Sequence, residues 1–203
     1  MPALLDPVVA PGSLARTAQP ILRADDLVLR PWQPSDAPTL VAAYADPGIQ
    51  RWHTRSMTDD EALTWIHHWP DRWKQETGAG WAVTDDSGLL GQISLRKLNF
   101  TDGLVEVSYW VLPAARGRQV AAGALTTLTD WVFDDAGFHR VEVHHSAANP
   151  PSCRVAEKAG FPLEGVMRRQ ALHTDGWHDM HLHARVKAGQ RPDRFRGGVG
   201  ITP

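Results

Sequence analysis

The stretch that most constrains this 203-residue chain runs from Leu104 to Ala122, where an alternating segment feeds a basic loop and then a helical pattern. Val105, Val107, Tyr109 and Val111 fall on one face and Glu106, Ser108 and Trp110 on the other, the two-residue period of a strand. Pro113 and Gly117 interrupt that period. From about Gln119 to Asp135, Leu125, Leu128, Trp131 and Val132 recur at helical spacing, and Gly137 closes the helix. A strand–loop–helix joint of this kind turns the unpaired N–H groups of the first helical turn, and the positive end of the helix dipole, toward the loop. Arg116 and Arg118 add charge, and Gly117, Ala121 and Ala122 leave room for a phosphate to approach the backbone. The same residues also suit an ordinary joint with solvated arginines. Neither a P-loop nor a GxGxxG fingerprint is present.

The rest of the chain alternates in the same manner. A strand at Asp26–Arg30 is stopped by Pro31, and a helix capped by Ser35 or Asp36 runs to Tyr44 and ends at Asp46-Pro47-Gly48. Thr58 and Glu61 form a capping box for a second helix, which Pro70 is expected to kink or split. Strands at 80–84 and 89–95 flank an Asp85–Gly88 turn. Strand 140–146, helix 152–159, and strands near 163–168 and 179–186 complete the series. This order predicts one α/β (α+β) domain with a partly parallel sheet over residues 25–186. An N-terminal arm (1–24) precedes it, and a Gly-, Arg- and Pro-rich tail (187–203) follows.

Composition narrows the function classes. A net charge of -2 argues against a nucleic-acid binder working through bulk positive field. Cys153 is the single cysteine, which excludes an internal disulfide framework. No apolar run approaches the roughly 20 residues that span a bilayer. The opening segment lacks the basic and apolar blocks of a signal peptide. A cytoplasmic protein without membrane or nucleic-acid partners is expected.

Arg-Gly-Arg-Gln-Val-Ala (116–121) resembles the acyl-CoA pyrophosphate motif of the GNAT superfamily of N-acetyltransferases. Three further landmarks follow that family's order. Leu29-Arg30-Pro31-Trp32 with Pro34-Ser35-Asp36-Ala37 resembles its opening strand and helix, and Glu106–Val111 its fourth strand. Asn149-Pro150-Pro151-Ser152 with Glu157-Lys158-Ala159-Gly160-Phe161 is similar to the signature of the branch that includes ribosomal-protein N-terminal acetyltransferases. The resemblance spans about residues 26 to 186. It implies a GNAT-type mixed sheet, splayed between its fourth and fifth strands and flanked by helices. It also implies direct transfer of an acetyl group from acetyl-CoA to a primary amine on a small molecule or a peptide or protein N-terminus. Trp110, Val111 and Leu112 would pair with the pantetheine arm. The amides of Arg116, Gly117, Arg118, Gln119, Val120, Ala121 and Ala122 would hold the pyrophosphate. Asn149 would bond the pantetheine, and Ser152 would lie near the thioester sulfur. Two positions depart from the family pattern: Gln119 replaces the motif's first glycine, and Ala156 stands where many members carry a tyrosine acid. Ser152 then becomes the candidate for assisting the leaving thiolate, and Tyr109 is not expected to substitute.

An ammonium must lose a proton before attacking a thioester, so a base is required. Glu106, beside the expected acyl site, and His144, on the following strand, are the candidates, with a water relay as the alternative. A backbone N–H near Val111 suits the oxyanion. Cys153 reads as a packing residue. Asp179, His181 and His183 form a row on one strand face, but neighbours two apart lie nearly 7 Å from each other, so no metal is expected. Trp52, Trp65 and Trp69, with Trp73, are candidates for an acceptor pocket or a dimer face, although rows at helical spacing usually form core. A homodimer is plausible for the branch. Gln119 and the missing tyrosine leave an acyl-CoA sensor or partner-binding protein as the alternative function.

Overall fold

Eight strands form one sheet in a computed structural model that describes residues 4–189. They are β1 (Leu22–Ala24), β2 (Leu27–Pro31), β3 (Ala79–Asp85), β4 (Gly88–Asn99), β5 (Leu104–Val111), β6 (Arg140–Ser146), β7 (Leu163–His173) and β8 (Gly176–Val186). The order across the sheet is β1-β2-β3-β4-β5-β6-β8-β7. Among the described residues five α-helices accompany it: α1 (Ala37–Ala45), α2 (Pro47–His53), α3 (Asp59–Lys74), α4 (Val120–Asp134) and α5 (Pro150–Lys158). Every neighbouring pair is antiparallel except β5 and β6, which are joined by the α4 crossover and run parallel.

That parallel pair is short, and its shortness makes the site. Leu104–Val107 register with Arg140–Val143, and there the pairing stops. β5 stays paired with β4 as far as Gly91↔Val111, while β6 stays paired with β8 as far as Ser146↔Met180. The two halves of the sheet therefore diverge, leaving a wedge between residues 108–111 and 144–146. The splay implied by the resemblance is present at this point.

The alternation read in β5 sorts its side chains between two cores. Val105 and Val107 pack with Leu125, Leu128 and Val132 of α4 and with Phe138, Ala156 and Phe161. Trp110 enters a second cluster with Trp32, Leu40, Tyr44, Ile66 and Trp69, contributed largely by α1 and α3. Each fully buried aliphatic or aromatic side chain contributes about 1.5–3 kcal/mol, so β5 is clamped from both sides just before it diverges from β6.

Two local expectations need correction, and the N-terminal segment takes a defined place. Pro70 does not split α3, which runs unbroken over 16 residues with Trp69 and Trp73 buried on either side of the proline. Pro70 lacks the N–H that would bond the Ile66 carbonyl, and packing of the flanking tryptophans outweighs that loss. The Asp46-Pro47-Gly48 stop also starts α2: the Asp46 carboxylate accepts from Ile49 N–H at 3.0 Å, with Pro47 at the first helical position. The segment before residue 25 carries β1 and lies on the domain. Val9 and Leu14 are buried in the main core, and the Glu76 carboxylate accepts from the amides of Gly12 (2.5 Å), Leu14 (2.7 Å) and Ala15 (3.2 Å). The indole N–H groups of Trp73 and Trp81 donate to the carbonyls of Thr17 and Pro20. Of the tail expected from Lys187, residues 190–203 lie outside the described residues.

Candidate active site

One cavity of about 550 Å3 occupies the cradle side of the wedge, between the 113–119 loop and the first turn of α5. The first bond of α4 runs from Gly123 N–H to the Gln119 carbonyl, at 3.0 Å. The amides of Val120, Ala121 and Ala122 therefore have no partner within the helix, and all three residues line the cavity. Gln119 and Gly117 both adopt left-handed backbone, with φ of 61° and 80°. Gln119 thus keeps the turn that a glycine would make freely, at a local cost of about 1 kcal/mol. Arg116 pairs with Asp46 at 2.8 Å, tying the loop to the cap of α2, and Arg118 pairs with Asp85 at 2.6 Å. Each arginine holds its partner's carboxyl below the usual range, with Ser87 contributing first at Asp85.

A second cavity of about 450 Å3 opens on the other side of the wedge, against α2 and α3. Trp52, His53, Tyr109, Asn149 and Ser152 line both cavities, so they form the passage between them. Ser152 sits in the first turn of α5, where its N–H donates to the capping Asn149 Oδ1 at 3.3 Å. The Tyr109 hydroxyl lies 3.0 Å from Ser152 Oγ and 3.2 Å from the Ser152 carbonyl. Burial pushes the Tyr109 phenol up to about 12, so it is a fixed proton donor at neutral pH. Burial, reinforced by the charge of Arg96, lowers His53 to about 4 and keeps that imidazole neutral. Leu112 N–H bonds the Leu90 carbonyl. By antiparallel alternation, the N–H of Val111 then points away from β4, into the wedge.

The expected residues separate into those brought together and those not. Trp110, Val111, Arg116, Gly117, Gln119, Val120, Ala121, Ala122 and Asn149 line the first cavity. Leu112 and Arg118 do not; one amide and one guanidinium are already engaged with Leu90 and Asp85. Trp52, Trp65, Trp69 and His144 line the second cavity, whereas Trp73 packs against Trp81 and Trp131 in the core. His144 Nε2 is 3.1 Å from Glu142 Oε2. Glu106 lines neither cavity; it pairs with Lys97 at 2.6 Å. Sequence reasoning considers Tyr109 and sets it aside as an acid, and it passes over His53 and the arginines Arg55, Arg72 and Arg96 of the second cavity. Of the row on β8, Asp179 is set apart, its carboxylate accepting from Arg169 N–H at 2.8 Å.

Residues 26–162 match the family model described as an acetyltransferase (GNAT) domain. The chain belongs to the GNAT acetyltransferase family. It is 23% identical over 172 residues to an uncharacterised N-acetyltransferase of Bacillus subtilis, YoaA, covering 83% of this chain and 97% of that protein. It is 28% identical over 104 residues to the ribosomal-protein-serine acetyltransferase of Escherichia coli, covering 51% and 58%. In fold, this GNAT chain matches RimL, a ribosomal L7/L12 alpha-N-protein acetyltransferase in complex with coenzyme A. The TM-score is 0.76 at 17% identity, over 82% of this chain and 98% of that one. The spermidine N-acetyltransferase of Vibrio cholerae, in complex with CoA and spermine, matches at 0.70 with 18% identity, over 79% and 95%. The GNAT chain is thus an acetyl-CoA-dependent N-acetyltransferase, and a non-catalytic sensor is not the better-supported reading. Among the described residues, no helix is long and apolar enough to cross a membrane.

Proposed function

We propose that this enzyme acetylates a primary amine carried next to an anionic group, such as a peptide N-terminus followed by acidic residues. The observation that carries this reading is the charge of the second cavity. Arg55, Arg72 and Arg96 line it, together with His53, His144, His145 and His173, and no carboxylate does, although Asp60 and Glu61 line an adjoining cavity that shares Arg55 and Arg72. None of the three arginines has a salt-bridge partner among the described residues. Burial, and after it the neighbouring Arg96, lowers the Arg72 guanidinium from its ordinary value, so a second cation nearby is unfavourable there. A polyamine would meet repulsion there, whereas a carboxylate would relieve it.

In this reading acetyl-CoA lies along the wedge, its pyrophosphate on the amides of Val120–Ala122 beside Arg116. His144, oriented through Nε2 by Glu142, takes the ammonium proton on its other nitrogen. The freed amine attacks the thioester carbonyl, and the Val111 N–H stabilises the oxyanion. The C–S bond then breaks, the Tyr109–Ser152 pair donates its hydrogen bond to the departing thiolate, and the second proton lost by the nitrogen passes through water to that thiolate. Trp52, Trp65 and Trp69 wall the acceptor. We place the reaction in the cytoplasm, and assign a homodimer to the outer face of the β7–β8 edge, where Val166, Leu172 and Trp177 are exposed.

A thiol-release assay on matched acceptors tests the charge argument. A peptide beginning Ser-Glu-Glu should exceed one beginning Ser-Lys-Lys by about tenfold or more in kcat/KM, with the advantage shrinking as salt rises. Preference for spermidine or for the basic peptide would overturn the proposal.

A further inference from the structure

Beside Ser152, four side chains from three elements converge that the proposed acetyl transfer does not use, one of them, His145, at the wall of the second cavity. His181 and His183 project from β8, His145 is the cross-strand partner of His181, and α5 lays Cys153 against them. One ligand atom from each of the four lies within 4.8 Å of all the others. His183 is fully buried and His145 is 6% exposed, their rings stacked 5.1 Å apart.

The hydrogen bonds determine which nitrogens are available. His145 Nδ1 is 2.8 Å from the Ser146 carbonyl, and His183 Nδ1 is 2.9 Å from the Phe161 carbonyl. A carbonyl only accepts, so both rings hold their proton on Nδ1 and offer a lone pair on Nε2. His183 Nε2 faces Cys153 Sγ at 3.5 Å. His145 Nε2 and His181 Nδ1 are buried without any hydrogen-bond partner. One such orphan costs about 1–3 kcal/mol, so two in one cluster call for an occupant. Backbone-anchored imidazoles presenting their second nitrogen are the outer-shell arrangement of metal-binding histidines.

We propose that His145, Cys153, His181 and His183 form a zinc site. Tetrahedral zinc, with bonds of about 2.0–2.1 Å to nitrogen and 2.3 Å to sulfur, sets neighbouring ligand atoms about 3.3–3.7 Å apart. The Sγ–Nε2 separation already meets that spacing, and the widest separation closes by about 1 Å through small side-chain rotations. On binding, the Cys153 thiol, which now donates to Glu157 Oε1 at 3.6 Å, releases its proton to solvent and the thiolate bonds the metal. Three imidazoles and a thiolate select zinc or cobalt over magnesium or calcium. Four protein ligands leave no open position, so the site is structural. Its effect is to fasten the first turn of α5, which carries Ser152, to β6 and β8.

Titration of the chelator-stripped, full-length protein with Co2+ and then Zn2+ tests the proposal. One equivalent of Co2+ should produce the intense visible bands of a tetrahedral site and a thiolate charge-transfer band, both removed by one equivalent of Zn2+. Cys153→Ser should lose the charge-transfer band, and the half-buried His181→Ala should bind at least about tenfold more weakly. Zinc should raise the Tm of the wild-type protein by more than that of His181→Ala. Absence of a saturable cobalt spectrum in the wild type overturns the proposal, as does a charge-transfer band that survives Cys153→Ser.

Discussion

Replacing Tyr109 by Phe removes one oxygen from the passage between the two cavities and leaves the ring packing in place. The phenol, pushed up to about 12 by burial, faces a leaving thiol of ordinary pKa near about 8.5. Complete proton transfer from tyrosine to thiolate would therefore be uphill by about 3.5 units, or roughly 5 kcal/mol. Tyr109 is better suited to stabilise the thiolate as a hydrogen-bond donor than to protonate it. A hydrogen bond to a charged group is worth about 1.5–3 kcal/mol, which sets the expected loss in kcat at about 10- to 150-fold. KM for acetyl-CoA should stay within about twofold, because the pyrophosphate cradle is untouched. Losing the contacts to Ser152 should lower Tm by only about 2–4 °C. Steady-state thiol release with saturating acceptor, measured beside a thermal melt, reads all three. A kcat within about threefold of wild type, with unchanged melting, would refute the placement of the thioester sulfur beside Tyr109.

Other perturbations probe the frame around the site. His53 is lowered from 6.5 to about 4 in the fold, so the unfolded chain binds more protons between those values and stability must fall as pH drops through that window. Unfolding free energies from urea titration at pH 7 and pH 5 should differ by about 1–2 kcal/mol more in the wild type than in His53→Phe. Glu76→Gln weakens the grip on three amides and should cost about 2 kcal/mol, seen as a Tm lower by about 4–8 °C and faster proteolysis before residue 20. Arg116→Ala, at the cradle rim and paired with Asp46, should raise KM for acetyl-CoA about 3- to 10-fold with kcat within twofold; an unchanged KM would place the pyrophosphate elsewhere.

What the sequence disclosed is what short-range physics decides. The β5–loop–α4 joint and the Thr58–Glu61 box rest on period and capping, and both stand as read, with Glu61 N–H donating to Thr58 Oγ1 at 3.3 Å. Asp46-Pro47 misled because the same pair serves as the end of one helix and the cap and first residue of the next. Glu106 was correctly assigned to the face of Ser108 and Trp110, yet its partner depends on a register shift between Leu95 and Lys97 that sets Lys97 opposite it. Alternation has no knowledge of such bulges. The Tyr109–Ser152 contact spans 43 residues and exists because β5 and β6 part company. In the histidine cluster, period-two spacing along β8 measures only part of the group, since His145 and Cys153 arrive from other elements.

The Glu76 clasp also separates two units that are easily equated. The match to the family model begins at residue 26, yet the two indoles of Trp73 and Trp81 find their acceptors at Thr17 and Pro20. A protein trimmed to the homologous boundary would bare those rings and strip Val9 and Leu14 from the core. The piece whose core is complete is therefore longer than the piece that matches the family model, and expression should be designed around the former.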